Sequence, residues 1–250
     1  MPGATIDVRA VADAADLAEQ AAAHVAQAVR ETLKRKSFFN LALCGGTTPL
    51  GLYGRLARPP YDRELPWHEI HVFWGDERFV PPAHPDSNFQ AARRALLDHV
   101  SLPPDNVHRI ETEGLTLEES AQAYERTLRR QFGEAGFPAF DLTLLGLGAD
   151  GHTASLFAGF PALEEKKRWV ATVKNAPKPP PERITLTLPV LRSSRRIALL
   201  VSGPDKAKPL NEALSPSGPD SPARRLLQPP GDTDNYITIF SDSSRSGSGS

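Results

Sequence analysis

Residues 141–157 carry the side chains best suited to acid–base chemistry. An apolar run at 142–145 leads into a glycine-rich turn that displays one acid, one imidazole and two hydroxyls: Asp150, His152, Thr153 and Ser155. Open α/β sheets place ligand sites at the ends of buried strands, and histidine changes charge nearest neutral pH. The segment therefore predicts an acid–base site, although a surface loop whose glycines merely permit a tight turn would look similar.

The same turn also fits a dinucleotide-binding pattern, because Gly146, Gly148 and Gly151 satisfy G-x-G-x-x-G after a strand. That motif needs a helix that begins at its third glycine, where free backbone N–H groups meet the pyrophosphate. Gly159 and Pro161 instead interrupt the chain shortly after the motif. We therefore reject a nicotinamide site and expect no cofactor.

A second segment, residues 44–49, joins a predicted strand to a predicted helix. Glycines let the backbone approach a ligand, hydroxyls add hydrogen-bond donors, and the helix start supplies free N–H groups. These features predict an anion cradle formed by Gly45, Gly46, Thr47 and Thr48. An ordinary capped turn is the alternative, and Cys44 is expected to be a small core residue rather than a nucleophile.

Charged residues follow other predicted strands. In Asp76-Glu77-Arg78, the arginine could hold a phosphate through two hydrogen bonds and the aspartate could align a hydroxyl or take a proton. A solvated Glu–Arg pair at the rim is the alternative. Arg183 begins a further strand and Lys206 opens a helix. Together these loops predict a small polar ligand that carries a phosphate.

Composition excludes several classes of protein. The 250 residues are 40% hydrophobic and 24% charged, with a net charge of −1, so neither a nucleic-acid nor an anionic-membrane partner is indicated. The single cysteine excludes an intrachain disulfide framework and is typical of a reducing compartment. No leader or membrane-spanning run is expected, which favours a cytoplasmic location. Histidines 68, 71, 84 and 152 lack ligand spacing, so no metal is expected.

The elements that must position these residues alternate along the chain. Apolar patterns and helix-start signals predict five helices, over 11–33, starting at 48, and over 87–99, 116–132 and 206–214. They predict strands over 38–44, 70–74 and 107–110, starting at 141, and over 169–173, 184–188, 196–202 and 236–240. This alternation predicts a single α/β domain, a largely parallel sheet with helices on both faces. We place that domain at 1–242 and a low-complexity tail at 243–250.

Several of these motifs resemble the 6-phosphogluconolactonase family. They are Gly-Gly-Thr-Thr-Pro at 45–49, Trp-Gly-Asp-Glu-Arg at 74–78, Asp-Ser-Asn at 86–88, the histidine turn at 148–157, Arg-Ile-Thr-Leu-Thr-Leu-Pro at 183–189 and Gly-Pro-Asp-Lys-Ala at 203–207. The resemblance runs from about residue 10 to 215 and weakens after Leu214. It implies a Rossmann-like domain that hydrolyses 6-phospho-D-glucono-1,5-lactone in the pentose phosphate pathway.

The resemblance also implies roles for single residues. The 6-phosphate would contact the glycines and threonines at 45–48 together with Arg78, Arg183 and Lys206. His152 would be the general base for water attacking C1 and would return the proton to the ring oxygen. Asp150 would orient the imidazole or bind a sugar hydroxyl, and Asp76 would hold sugar hydroxyls. Backbone N–H groups of the 148–151 turn are candidate oxyanion donors. An activated lactone requires neither a metal nor a covalent nucleophile.

Two other functions are weighed against the lactonase. Amino-sugar-phosphate deaminases and isomerases resemble the chain at Asp76, Asp150 and His152, but they carry a glutamate five positions after the histidine, where this chain has Phe157. A regulatory domain that senses sugar phosphates without turnover would be expected to carry a DNA-binding element, and neither a helix-turn-helix nor a basic face is indicated. The only expected partner is the lactone substrate. The sequence does not fix the oligomeric state, and it is compatible with a monomer.

Overall fold

Six parallel strands form the central sheet of the computed structural model, which describes residues 5–228 and 235–243. In spatial order they are β1 (Thr5–Ala10), β9 (Tyr236–Ser241), β8 (Arg196–Val201), β5 (Leu142–Gly146), β2 (Phe39–Leu43) and β3 (Ile70–Trp74). Strands β2, β5 and β8 are almost entirely buried. Continuous apolar strands of this kind are typical of a parallel sheet that is covered on both faces.

The order of the strands places a ligand crevice beside β2. The chain leaves β2 for β3 on one side and later returns to β5 on the other side. Where neighbouring connections diverge in this way, their loops separate and open a crevice at the carboxyl ends of the strands. The crevice therefore lies between the loops that follow Leu43 and Gly146.

A second, antiparallel sheet was not predicted. It consists of β4 (Asp76–Arg78), β7 (Arg183–Leu186) and β6 (Val170–Val173), in the order β4-β7-β6. Its register sets Arg78 opposite Arg183. The small sheet thus brings together two arginines that are far apart in the sequence.

Helices surround both sheets. They are α1 (Ala14–Leu33), α2 (Thr48–Leu56), α3 (Tyr61–Glu64), α4 (Asn88–Ala95), α5 (Leu117–Phe132), α6 (Pro161–Glu164), α7 (Leu188–Arg192), α8 (Ala207–Leu214) and α9 (Pro222–Leu227). The predicted capping box of α5 is present, with Thr116 and Glu119 each bonded to the other's backbone N–H. The mainly parallel sheet with its surrounding helices confirms the predicted α/β class.

Some predicted elements differ from the structure. The strand predicted at 107–110 is wrong, because Val107 makes only an isolated bridge to Val72 beside the edge strand β3. The helix predicted over 87–99 ends at Ala95 and is followed by a separate 3₁₀ turn, Leu97–His99. Apart from Ser243, the tail predicted at 243–250 lies outside the described residues, so the division into domain and tail stays a prediction.

Candidate active site

A cavity of about 200 Å³ lies in the crevice at the carboxyl ends of β2 and β5. Its lining contains every predicted site residue except Asp150: Gly45, Gly46, Thr47, Thr48, Asp76, Arg78, His152, Arg183 and Lys206. Asp150 is not part of the lining, but its carboxylate is hydrogen-bonded to His152. The residues that the sequence predicted from separate loops therefore lie together around one cavity.

The loop after β2 presents the start of α2 to this cavity. Gly46 adopts a φ of 101°, which L side chains rarely reach. A Cβ on Gly45 would overlap the Asn88 side chain, so a larger residue there would have to displace Asn88. Thr47 occupies the N-cap position, yet its hydroxyl makes no capping hydrogen bond. Pro49 has no N–H and that of Leu50 donates to the Thr47 carbonyl at 3.2 Å, so the Thr47 hydroxyl and the Thr48 amide are the groups at this helix start that are available to an anion.

The two arginines opposite each other in the small sheet also face the cavity. Like charges directly opposite on paired strands are destabilising, unless another group compensates for them. The Nη1 group of Arg78 donates to the Asp86 carbonyl at 2.8 Å, while its Nε is buried without a partner among the described residues. Neither arginine forms an ion pair with a carboxylate among the described residues, so the cavity keeps positive charge beside the Asp76 carboxylate.

Arg183 is almost fully buried, at 4% exposure, and it also holds a loop. Its Nη2 donates to the carbonyls of Lys178 (2.8 Å) and Pro179 (3.2 Å), and its Nε donates to that of Pro180 (3.1 Å). Burial, and secondarily the nearby Arg78 charge, lowers the pKa of the Arg183 guanidinium. Its Nη1 has no protein acceptor in the part of the chain that is described, so this end of the guanidinium is free to donate to a ligand.

The two acids that follow β3, Asp76 and Glu77, have different environments. Asp76 lines the cavity, and its Oδ2 accepts a 2.6 Å hydrogen bond from the Ser155 hydroxyl. The rim interpretation of Glu77 is wrong, because Glu77 is only 2% exposed. Its carboxylate accepts from the backbone N–H groups of Arg78 (2.8 Å), Asn88 (2.7 Å) and Phe89 (2.8 Å). Burial raises the pKa of Glu77 to about 7, against the opposite effect of those three amides.

His152 and Asp150 form the acid–imidazole pair of the site. A short hydrogen bond joins Nδ1 of His152 to Oδ1 of Asp150, and it holds the pKa of that carboxyl well below its usual range. A Cβ on Gly148 would overlap the imidazole, so the glycine permits the close approach. The Phe157 ring lies 4.7 Å from the imidazole, centroid to centroid. Nε2 has no protein partner among the described residues and is therefore the nitrogen free for chemistry.

The other polar groups of the histidine turn are internal. Thr153 and Ser155 are fully buried, which corrects the expectation that their hydroxyls are displayed. Thr153 donates to the Gly146 carbonyl at 3.0 Å, so its hydroxyl holds the turn. The amide of Gly148 donates to the His152 carbonyl at 2.8 Å, and that of Gly151 donates to the Gly148 carbonyl at 3.0 Å. These two predicted oxyanion donors are therefore already occupied.

The structure adds two residues that the sequence analysis did not assign to the site. Asn88 lines the cavity and donates through Nδ2 to the backbone carbonyl of Asp76 at 2.9 Å. Lys178 also lines it, with its Nζ 3.8 Å from Oδ1 of Asp150. Cys44 has the predicted core environment: it is 3% exposed, and burial raises the pKa of its thiol to about 12.

Residues 5–228 and 235–243 contain neither a cluster of metal ligands nor a membrane-spanning helix. Within these ranges, no three His, Cys, Asp or Glu side chains gather as the ligands of a metal ion would. Across the same ranges, no helix combines the length and the apolar character needed to span a membrane.

Similarity to known proteins agrees with this geometry. Residues 12–235 match the family described as glucosamine-6-phosphate isomerases/6-phosphogluconolactonase. A 6-phosphogluconolactonase of Synechocystis sp. is 44% identical over 219 residues, which cover 86% of this chain and 88% of that protein. A probable chloroplastic 6-phosphogluconolactonase of Oryza sativa subsp. indica is 41% identical over 80% of this chain and 64% of its own length.

Among solved structures, the 6-phosphogluconolactonase of Trypanosoma brucei superposes with a TM-score of 0.85 at 27% identity, covering 96% of this chain and 98% of that chain. The sequence match extends over most of the chain, and the structural match extends over nearly all of it. The chain therefore belongs to the glucosamine-6-phosphate isomerase and 6-phosphogluconolactonase family.

Proposed function

We propose that this chain hydrolyses 6-phospho-D-glucono-1,5-lactone to 6-phospho-D-gluconate, a step of the pentose phosphate pathway. One observation carries the proposal: a helix N-terminus, two arginines without an ion pair among the described residues, and the imidazole that Asp150 holds all line a single cavity. The first can bind a phosphate and the second can activate water. The similarity to named 6-phosphogluconolactonases supports the same substrate.

The phosphate end of the site is the loop 45–48 with Arg78, Lys206 and the free Nη1 of Arg183. The amides and hydroxyls at the start of α2 would donate to phosphate oxygens, and the cations would neutralise the charge. Because this group is remote from the reacting carbon, its binding energy would align the lactone for attack.

At the reacting end, His152 acts as general base. A water proton passes to Nε2 as the water oxygen forms its bond to C1. The bond between C1 and the ring oxygen then breaks, and the same proton passes to the leaving ring oxygen. Asp150 holds the imidazole through Nδ1, as an orienting carboxylate does in hydrolase triads. Asp76, which accepts a hydrogen bond from Ser155, would also accept hydrogen bonds from hydroxyl groups of the sugar.

A feature of the histidine turn favours the lactonase over the deaminase branch. The resemblance places a glutamate of the deaminases at the position of Phe157, and here a buried aromatic ring packs against the imidazole. A phenyl ring offers no carboxylate to tune the histidine for opening an amino-sugar ring. We therefore propose that the chain does not deaminate glucosamine 6-phosphate.

The test is a turnover assay on freshly generated 6-phosphogluconolactone, corrected for spontaneous hydrolysis, beside glucosamine 6-phosphate. We expect lactone hydrolysis that EDTA leaves unchanged, and no ammonia release from the amino sugar. Ammonia release without lactone hydrolysis would reassign the chain to the other branch. Loss of lactone hydrolysis in EDTA, reversed by zinc, would contradict the metal-independent mechanism.

Cellular context is proposed on narrower grounds. We propose a cytoplasmic location, because the single cysteine of the sequence and its burial fit a reducing compartment. We also propose that a monomer suffices for activity, since one chain brings the phosphate-binding loop, the arginines and His152 to the same cavity. Size-exclusion chromatography at assay concentrations, with activity measured across the peak, tests the second point.

A further inference from the structure

The loop between β6 and β7 brings an additional cation to the reacting end of the cavity. Lys178 belongs to this loop, and its side chain lines the cavity. Its Nζ lies 3.8 Å from Oδ1 of Asp150, the carboxylate that holds His152. This distance exceeds that of a normal N–H···O hydrogen bond, so Asp150 attracts the ammonium without occupying its N–H donors.

The backbone that carries Lys178 is fixed from inside the protein. The buried guanidinium of Arg183 donates to the carbonyl of Lys178 and to those of the two residues that follow it. The amide of Ala176 donates to the Pro181 carbonyl at 2.9 Å, which closes the loop on itself. An otherwise irregular, proline-rich segment therefore presents its lysine from a defined position.

Attack at C1 is accelerated by hydrogen-bond donors or a cation near the C1 oxygen. Negative charge develops on the C1 oxygen as water adds, and preorganised donors aimed at that oxygen accelerate such reactions. The amides of Gly148 and Gly151 are occupied within the turn, which leaves those of Ala149 and Asp150 as its amides without an acceptor among the described residues. Lys206 lies 2.9 Å from Asp205, and Arg78 is bonded to the Asp86 carbonyl. Lys178 is the cavity cation that the described structure sets against the acid–imidazole pair.

We propose that Lys178 is a catalytic residue of the reacting end, whose ammonium donates a hydrogen bond to the C1 oxygen while negative charge develops there. Lys178 transfers no proton in this step, because the water proton moves through His152. The inference rests on the proposed lactonase function and adds a residue to it.

The competing role is that of another phosphate ligand. Lys178 is close enough to Asp205, the neighbour of Lys206, to contribute to the lowered pKa of that carboxyl. The two roles differ in what they do to substrates. A phosphate ligand acts only on the phosphorylated lactone, whereas a donor to the C1 oxygen acts on any lactone that the site hydrolyses.

The decisive variant is Lys178→Met, which keeps the length of the side chain and removes the charge. We expect kcat to fall about 10²-fold, with a smaller change in KM, on both 6-phosphogluconolactone and unphosphorylated gluconolactone. Lys178→Arg should recover part of the loss. Lys174→Met is the matched control, since Lys174 is exposed in the same loop and does not line the cavity, and it should keep the parental rate.

Chemical rescue separates charge from structure. In Lys178→Cys, alkylation by 2-bromoethylamine forms a sulfur–carbon bond, releases bromide and restores an ammonium at nearly the lysine position. We expect kcat to recover after alkylation, while the treated parent stays unchanged because its only cysteine, Cys44, is buried.

Parental kcat of Lys178→Met on both lactones would overturn the inference. A rise in KM restricted to the phosphorylated lactone would also overturn it and make Lys178 a phosphate ligand. Lack of rescue in the alkylated, folded variant would do the same. If the parent itself hydrolyses no lactone, the proposed function fails instead, so the two failures are distinguishable.

Discussion

The imidazole of His152 is held on three sides. Its Nδ1 is bonded to Asp150, its ring packs against Phe157, and the missing side chain of Gly148 lets it approach the turn. A ring fixed in this way keeps Nε2 in one orientation toward the cavity. The proton transfer proposed above therefore depends on positioning as much as on the identity of the base.

Replacing His152 by asparagine should keep the fold and the phosphate contacts but remove the proton acceptor. We expect kcat to fall by roughly 10²–10⁴, the usual contribution of one positioned acid–base group. Steady-state kinetics on the lactone measures the loss, and calorimetric binding of 6-phosphogluconate checks that the cradle is intact. An asparagine variant with near-parental kcat would shift the base role to Asp76 or Asp150.

Replacing Lys206 by alanine tests the phosphate end. Loss of one charge-assisted hydrogen bond, worth about 1.5–3 kcal/mol, should raise KM for the phosphorylated lactone roughly tenfold to hundredfold. Unphosphorylated gluconolactone should be a poor substrate whose kinetics barely change. If both substrates respond equally, Lys206 does not contact the phosphate.

Some residues of the site could be placed from the sequence alone and others could not. Gly45 and His152 follow buried apolar strands, and the carboxyl ends of parallel strands meet at one edge of a sheet, so their convergence could be inferred. Lys178 could not be inferred, because its position depends on hydrogen bonds from Arg183 to loop carbonyls. No local sequence pattern encodes such a contact.

At the scale of elements, β4 shows why the small sheet was missed. Its three residues, Asp-Glu-Arg, carry no apolar or β-branched pattern, and they become a strand through pairing with β7. Strand propensity depends strongly on such tertiary context. The opposite error occurred at 107–110, where an apolar pattern predicted a strand. There Ile110 is buried in the core without strand pairing, and Val107 makes only an isolated bridge.

Glu77, in β4, connects this strand to the start of α4 because its carboxylate accepts hydrogen bonds from the first amides of the helix. In Glu77→Gln, the amide –NH₂ would face backbone N–H donors that now bond to a carboxylate oxygen. We expect the free energy of unfolding to fall by roughly 1–3 kcal/mol and KM for the lactone to rise, because Asn88 and Arg78 lose their anchor. Chemical denaturation and steady-state kinetics measure the two effects.

Glu113→Gln is the control for this variant. Glu113 forms an i,i+4 pair with Arg109 at the surface, and such pairs contribute little, typically less than about 1 kcal/mol. If Glu77→Gln were no more destabilising than this control, the proposed link between the strand and the helix would be wrong.

The whole molecule should become less stable in acid, partly because of His24. This histidine lies on α1 against Phe240, and its Nε2 is buried without a partner among the described residues. Burial, together with the charges of Arg9 and Arg196, lowers the pKa of His24 to about 4. Between about pH 6.5 and pH 4 the unfolded chain binds a proton that the folded chain resists. The contribution of His24 to stability is thus present above about pH 6.5 and lost as the pH falls.

The difference between the parent and His24→Phe isolates this contribution. Over that pH range the parent should lose up to about 3 kcal/mol of unfolding free energy relative to the variant. Urea denaturation at pH 7, 6, 5 and 4 gives the comparison, in which the titrations of all other groups cancel. A stability difference that does not change with pH would show that His24 is not held neutral by the fold.

The arginine pair across β4 and β7 predicts a response of the whole molecule to its ligand. Bound 6-phosphogluconate should raise the melting temperature, and at one hundred times its Kd it should stabilise the fold by about 2.7 kcal/mol. In Arg78→Gln, less charge remains to be neutralised, so the same ligand concentration should produce a smaller shift. Differential scanning calorimetry with and without ligand measures both shifts. An equal shift in parent and variant would mean that Arg78 does not contribute to this binding.

The repulsion between Arg78 and Arg183 also has a consequence for the lifetime of the protein. Proteases cleave chains that open transiently, and the population of open chains rises as the fold is weakened. The empty site carries two facing positive charges, whereas the occupied site is neutralised, so empty molecules should be digested faster than occupied ones. The supply of phosphorylated lactone and its product would then influence how long each copy of the enzyme survives.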